Sequence, residues 1–201
     1  MITVEDKGDL RIVTIDRQDK ANSLTAEMLE QLAIATEGAT DKNAFVLTGA
    51  GKVFSAGADL DAAKAGLAVS PLWERLSGAI AALPGLTIAA LNGTVAGGAM
   101  GMVLACDLRI ATPGTKVFYP VMKLGFLPQP SDPKRLAAIA GPSRAKMILM
   151  AGQKITAQEA QVWGLIDKIV EPEDLMATVD DLTADVLTAK IDHVQGIKQL
   201  I

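Results

Sequence analysis

Two short glycine-rich segments hold the residues best suited to chemistry in this chain of 201 residues. They are residues 54–60 (FSAGADL) and residues 92–101 (NGTVAGGAMG). Each follows a predicted strand and leads into a predicted helix, and small residues at such a turn let a ligand approach the backbone closely. The first N–H groups of a helix have no internal partner. Two such turns facing each other would direct two N–H donors at one carbonyl oxygen and stabilise an enolate, by roughly 3–4 kcal/mol for each donor.

The elements that must position these turns alternate between strand and helix, which indicates an α/β fold. We predict strands at 2–5, 10–15, 44–48, 87–91, 107–111, 116–118 and 168–170. We predict helices at 26–39, 71–83, 133–140, 143–150 and 173–190, an apolar helix after Gly97-Gly98, and one that ends near Gly164. Thr25 is the expected N-cap of the first helix, and Asp59 is the expected cap of a helix that follows the first glycine-rich segment. Asp132, before Pro133, is the expected N-cap of another helix.

With these motifs in place, the sequence resembles the crotonase (enoyl-CoA hydratase/isomerase) family over nearly its whole length. The resemblance rests on both glycine-rich segments at their mutual spacing, and each segment alone would be a weak signal. It extends from residues 20–24 (KANSL) through Cys106-Asp107, Pro128 and Arg135-Leu136 to residues 164–166 (GLI).

The resemblance implies a spiral of ββα repeats with two roughly perpendicular sheets and a helical C-terminal part. It implies a core domain at 1–190, with 191–201 as the start of a shortened C-terminal helical region. It also implies a homo-oligomer, a trimer or a hexamer, that takes an acyl-CoA or enoyl-CoA substrate. Coenzyme A would belong to the substrate, so no separate cofactor and no metal is expected.

The site residues that the resemblance implies fall into two groups. The backbone N–H groups of Ala58 and Gly98 would form an oxyanion hole for the thioester. The residues expected to bind coenzyme A or substrate are Lys20, Ala21, Asn22, Ala56, Gly57, Asp59, Leu60, Gly97, Gly101, Val121 and Gln129.

The sequence departs from the family where hydratases carry their two glutamates. Here the two positions are Gly101 and Val121, and neither side chain can transfer a proton. The scaffold and ligand class therefore follow from the resemblance more firmly than the reaction, for which hydration, double-bond isomerisation, hydrolysis and decarboxylation remain open.

A replacement acid or base must come from another residue. Asp132 or Ser131, in the proline-rich loop at 128–133, could face the substrate, although Asp132 also suits a helix cap, and the two roles are compatible. Glu74 is expected to be an exposed helix charge. Tyr119 is expected either to donate a hydrogen bond or simply to pack. His193 is expected at the surface.

Composition excludes several other classes of function. The net charge of −4 and the 3% aromatic content argue against a nucleic-acid surface. A single cysteine excludes an intramolecular disulfide, and the charged first residues do not form a signal peptide. The longest apolar stretch, residues 95–106, is too short to span a bilayer. We therefore expect a cytoplasmic protein without membrane or nucleic-acid partners.

Three hypotheses about function remain open at this point. The first is an enzyme that processes acyl-CoA thioesters through the oxyanion hole, with Asp132 as its acid or base. The second is a non-catalytic acyl-CoA binder, which the loss of both glutamates favours. The third is a structural or nucleotide-binding α/β domain, because a fold does not fix a function.

Overall fold

Two β-sheets form the framework of the protein, and the computed structural model describes residues 1–201. The larger sheet has the strand order β1-β2-β3-β5-β7-β10, and the smaller has the order β4-β6-β8-β9. The strands are β1 (Ile2–Lys7), β2 (Leu10–Ile15), β3 (Ala44–Gly49), β4 (Val53–Ser55), β5 (Leu86–Leu91), β6 (Thr94–Ala96), β7 (Leu108–Ala111), β8 (Lys116–Phe118), β9 (Ile155–Thr156) and β10 (Lys168–Ile169). Only the pairs β1–β2 and β8–β9 are antiparallel.

Ten α-helices cover these sheets. They are α1 (Ala26–Glu37), α2 (Leu60–Lys64), α3 (Leu72–Ala82), α4 (Ala99–Ala105), α5 (Val121–Leu124), α6 (Asp132–Ala140), α7 (Pro142–Leu149), α8 (Ala157–Val162), α9 (Leu175–Thr188) and α10 (Ile191–Lys198). Short 3₁₀ turns lie at Gln18–Lys20, Leu67–Val69 and Pro172–Asp174. No helix of the chain combines the length and the apolar character that crossing a membrane requires.

The centre of the larger sheet is buried on both faces. All six residues of β3 are buried because parallel strands pair with both of its edges and helices cover both of its faces. One face packs into the main core of 40 buried residues, and the other packs under α9 through Leu175 and Val179. The sheet is therefore a rigid platform, and the loops at the strand ends take their positions from it.

The predicted α/β class is confirmed, since the chain folds into two sheets covered by ten α-helices. Most predicted elements are present within a few residues of their expected bounds, and the side chain of Thr25 accepts the N–H of Met28 as the expected N-cap. Two short strands, β4 and β6, lie inside the glycine-rich regions, where the sequence pattern did not predict them. These strands are parallel neighbours in the smaller sheet, and this pairing brings the two turns together.

Candidate active site

A pocket of about 210 Å³ lies at the ends of β4, β6 and β8. Its sixteen lining residues include no aspartate, glutamate, lysine, arginine or histidine, so its wall is almost wholly hydrocarbon and backbone. They are Ala56, Ala58, Leu60, Ala63, Ala68, Trp73, Ala96, Gly97, Gly98, Phe118, Tyr119, Pro120, Val121, Leu124, Phe126 and Leu127. The pocket therefore suits an apolar group that is oriented by a few backbone donors.

Both glycine-rich turns contribute to this wall, and they touch each other. Gly57 has a φ of 87°, and a Cβ atom added there would lie 2.6 Å from the carbonyl oxygen of Ala96 and 3.4 Å from the Cα of Gly97. Only glycine combines that backbone conformation with so close an approach. The two glycine-rich turns therefore meet in the structure.

The N–H groups of Ala58 and Gly98 both lack a hydrogen-bond acceptor within the protein. Around Ala58, Leu24 donates its N–H to the oxygen of Gly57 at 2.8 Å and accepts the N–H of Asp59 at 2.9 Å. These two bonds fix the peptide on each side of Ala58 and leave its own donor free. At Gly98, the first turn of α4 begins, and the indole of Trp73 lies 3.0 Å from where a Cβ would be.

The loop at 20–22 is held by its asparagine. Ala21 and Asn22 both have left-handed backbone conformations, with φ of 50° and 54°, and Asn22 is fully buried. Its side chain accepts the N–H of Arg17 and donates to the oxygens of Ala50 and Val53, at 2.7–2.9 Å. Lys20 is exposed beside it. Asn22 therefore organises the loop, and none of these three residues lines the apolar pocket.

We expect Asn22→Ala to lower the free energy of unfolding by about 1–3 kcal/mol. The substitution removes the side-chain partner of the Ala50 carbonyl and of the Arg17 N–H, and it leaves the Val53 carbonyl with only the longer bond from Asn92, at 3.2 Å. Alanine also tolerates the left-handed conformation less well than asparagine. Chemical denaturation would measure the change, with Lys20→Ala as the exposed control from the same loop. A midpoint equal to that of Lys20→Ala would contradict the anchoring role.

Asp59 caps α2 and pairs with Arg17, as its position before the helix predicts. Its Oδ1 accepts the N–H groups of Asp61 and Ala62, and its Oδ2 accepts the Arg17 guanidinium at 2.8 Å. The hydrogen bond from Arg17 is the main reason that the pKa of Asp59 lies below its ordinary value. The carboxylate therefore stays ionised and ties the first turn to the loop at 17–22.

The expected capping role of Asp132 is wrong. The N-cap of α6 is Ser131, and no side chain caps this helix, because Asp132 is its first helical residue and turns inward. The Asp132 carboxyl is 1% exposed, and its Oδ2 accepts the Tyr119 hydroxyl at 3.0 Å. Its Oδ1 is buried with no hydrogen-bond partner. A Cβ added at Gly101 would lie only 2.8 Å from this Oδ1.

The Asp132 carboxyl therefore fills the space that a side chain at position 101 would need. Its pKa is raised from 3.8 to about 7, chiefly by burial and in smaller part by the charge of Glu74, against the Tyr119 hydrogen bond and the charge of Arg135, which lower it. An ionised carboxylate with one orphaned oxygen would be costly to bury, so the neutral acid is favoured. Burial is also the main reason that the pKa of Tyr119 is raised.

The remaining loop residues fix the start of α6. Glu74 is half-buried, not the exposed charge expected, because its carboxylate accepts both the N–H and the hydroxyl of Ser131, at 2.9 and 2.6 Å. Ser131 is occupied by this pair and does not face the pocket. Gln129 is buried and donates to the oxygen of Ala68 at 3.0 Å. The Ser131–Glu74 and Gln129–Ala68 hydrogen bonds fix the loop that leads into α6 and so fix the position of Asp132.

The structure brings together six of the predicted site residues on the pocket wall and leaves the others behind it or beside it. Those on the wall are Ala56, Ala58, Leu60, Gly97, Gly98 and Val121. Gly57, Gly101 and Asp132 lie behind the wall, and His193 is exposed on α10, as expected. Sequence reasoning missed Trp73 beneath Gly98 and the apolar side chains of Phe118, Phe126 and Leu127, which carry no signal beyond their hydrophobicity.

The family comparison decides what scaffold this is. The model of the enoyl-CoA hydratase/isomerase family matches residues 5–201. The chain belongs to this family. Relatives within it differ in the reaction that their names state, so membership fixes the scaffold and leaves the chemistry to the residues of the site.

Three relatives illustrate this spread. A short-chain-enoyl-CoA hydratase of Clostridium acetobutylicum is 31% identical over all of this chain and 80% of its own length. A 1,2-epoxyphenylacetyl-CoA isomerase of Escherichia coli is 31% identical over 98% of this chain and 79% of its own. The crystal structure of an enoyl-CoA hydratase from Bacillus anthracis superposes with a TM-score of 0.88 at 29% identity, covering 98% of this chain and 81% of that one.

Proposed function

We propose that this protein is an enzyme that binds an enoyl-CoA thioester and moves its double bond. The thioester oxygen would accept the two free N–H groups of Ala58 and Gly98, and the acyl chain would lie in the apolar pocket. Asp132 would hold the proton that is removed from one carbon and returned to another. The loop at 20–22 and the turn at 56–60 would flank the coenzyme A portion, as the family resemblance suggests.

One observation carries this proposal: the buried Asp132 carboxyl occupies the space beside Gly101. Family resemblance assigns a hydratase glutamate to position 101, and here a carboxyl from another helix lies against that position. Its pKa of about 7 suits a group that both accepts and donates protons near neutral pH. A buried carboxyl with an orphaned oxygen costs stability, and such costs are common at functional sites.

Double-bond isomerisation fits the site better than hydration because it needs one acid/base group and no water. Asp132 would take a proton from the carbon next to the thioester, and the electron pair of that C–H bond would form a dienolate held by the two N–H donors. The same proton would then return to the γ carbon. Hydration would require a second polar group to hold water, and the pocket wall carries no ionisable side chain except Tyr119.

The test is incubation with 2-enoyl-, 3-enoyl- and saturated acyl-CoA esters, with products resolved by chromatography and mass spectrometry in water and in D₂O. The expected product is the positional isomer, with unchanged mass in water. Lys134→Ala, a substitution of an exposed residue on α6, is the control and should give the same product as the wild type. A product heavier by one water would establish a hydratase instead. Absence of both product and retained ester would overturn the proposal.

The second candidate function is a non-catalytic acyl-CoA binder. The observation that favours it is the near-complete burial of Asp132, which is not among the residues on the pocket wall. In the same experiment, a binder would retain its ester at micromolar affinity and return it unaltered. It would also leave the double bond in place in both water and D₂O, whereas the isomerase would move it.

A further inference from the structure

The proposed function requires proton transfer between Asp132 and the acyl chain, yet Asp132 does not contact the pocket. Asp132 is 1% exposed and does not line the pocket, so it has no open path to an acyl chain. Its Oδ1 has no partner, and its Oδ2 has one, the hydroxyl of Tyr119 at 3.0 Å. Tyr119 does line the pocket. Any proton that passes directly from Asp132 to a ligand must therefore cross this one hydrogen bond.

We propose that Tyr119 is a catalytic residue that relays the proton between the Asp132 carboxyl and the acyl chain. The inference rests on the proposed function and adds a residue that the family resemblance does not assign. The ring is held at the end of β8, directly before Pro120, and is only 5% exposed, so the hydroxyl has a fixed position. The backbone N–H of Gln129 also approaches this oxygen, at 3.5 Å.

The relay balances as two coupled proton transfers in each direction. In proton removal, the Tyr119 proton passes to Oδ2 of ionised Asp132 as the tyrosine oxygen accepts the proton of the carbon next to the thioester. The C–H electron pair becomes part of the dienolate. In proton return, the carboxyl proton moves to the tyrosine oxygen as the Tyr119 proton bonds to the γ carbon. Tyr119 is neutral before and after each transfer, and only Asp132 changes its charge.

The ionisable groups around Tyr119 and Asp132 favour a relay in which Asp132 carries the negative charge and Tyr119 stays neutral. Glu74 on α3 and Arg135 on α6 are the ionisable neighbours whose charges act on Asp132, and their effects on it are opposite in sign. Helix α4, which approaches the Asp132 carboxyl at Gly101, contains no ionisable residue. The pKa of Tyr119 is raised, so this residue favours its neutral phenol form. The negative charge therefore lies on the Asp132 carboxylate and not on a tyrosinate.

The test compares Tyr119→Phe with Asp132→Asn and with the double variant. Tyr119→Phe keeps the ring and its packing, and we expect kcat to fall about 100- to 1000-fold while KM changes less than about threefold. The double variant should be no slower than the slower single variant, because both residues act in one relay. Lys134→Ala should match the wild type.

A solvent-isotope measurement separates a relay from a structural role. In mixtures of H₂O and D₂O, the wild-type rate should fall linearly with the deuterium fraction, because only the proton that moves between Tyr119 and Asp132 exchanges with solvent. Deuterium on the carbon next to the thioester should slow the reaction further, and Tyr119→Phe should lose the solvent effect. Tyr119→Phe that keeps wild-type turnover while Asp132→Asn loses it would overturn the relay and leave the proposed function standing. Wild-type protein that retains ester without isomerising it would overturn the proposed function, and the relay with it.

Discussion

Asp132→Asn is expected to abolish most of the turnover and yet to stabilise the protein above pH 7. We expect kcat to fall by about 1000-fold, because the amide has the shape of the carboxylic acid but cannot exchange a proton with Tyr119. Retention of acyl-CoA esters should be unchanged, since the pocket wall and both N–H donors are untouched. Loss of ester retention together with turnover would instead indicate a binding role.

The pH dependence of the stabilisation follows from the direction of the pKa shift. The pKa of Asp132 is about 7 in the folded protein against an ordinary value of 3.8. Between pH 4 and pH 7, the folded state therefore holds a proton that the unfolded chain releases. The stabilising contribution of the neutral carboxyl is complete below about pH 4, declines as the pH rises and is lost above about pH 7.

Asparagine mimics the neutral acid at every pH, so the variant should resemble the wild type near pH 4 and exceed it at pH 8. The expected gain in the free energy of unfolding at pH 8 is about 1–3 kcal/mol. It is smaller than the free-energy change that the pKa shift alone implies, because the buried amide also needs hydrogen-bond partners. Urea denaturation at pH 4, 6 and 8 measures it, with Asp180→Asn, an exposed aspartate of α9, as the control. Equal or lower stability than wild type at pH 8 would contradict the raised pKa.

Gly101→Glu is the second change with a large expected effect, although it restores a family residue. We expect it to cost about 4 kcal/mol or more of folding free energy. Its Cβ would lie 2.8 Å from Asp132 Oδ1 and 3.2 Å from Oδ2, and the new carboxylate would be buried beside an existing one. Differential scanning calorimetry should show a large fall in Tm or no folded protein.

The alanine substitution at the same position gives a sharper test, because its sign should depend on residue 132. In the wild type, Gly101→Ala should destabilise by about 1–3 kcal/mol through the contact with the carboxyl. In an Asp132→Ala background, the three nearest atoms to the new Cβ are gone, and the usual gain of about 0.5–1 kcal/mol for alanine over glycine in a helix should appear.

A double-mutant cycle of these variants measures the coupling between α4 and α6 directly. Additive effects would show that the Asp132 side chain can move away from a Cβ at position 101 at little energetic cost, so that its position beside Gly101 is not fixed. A strong coupling would explain why glycine at 101 accompanies an aspartate at 132 in this chain. The carboxyl would then have been supplied by a different helix, not lost.

The sequence by itself determined the scaffold and the main turns of the site. The two glycine-rich segments at their mutual spacing carried the family resemblance, and their small residues after two strands allow the close backbone contact that the structure shows. Local signals sufficed for the caps at Thr25 and Asp59, and for the buried β3, since each depends on neighbours in the chain or on continuous hydrophobicity. The resemblance to one family added the N–H pair of Ala58 and Gly98.

Only the tertiary structure decided where the ionisable groups lie. Asp before Pro at a helix start favours a cap, yet Asp132 turns inward because Gly101 on another helix leaves space for it and Tyr119 donates to it. Glu74 was expected in solvent, but the loop before α6 brings Ser131 to it. These contacts join residues 13 to 57 positions apart, and no local pattern encodes which distant partner a polar side chain will find.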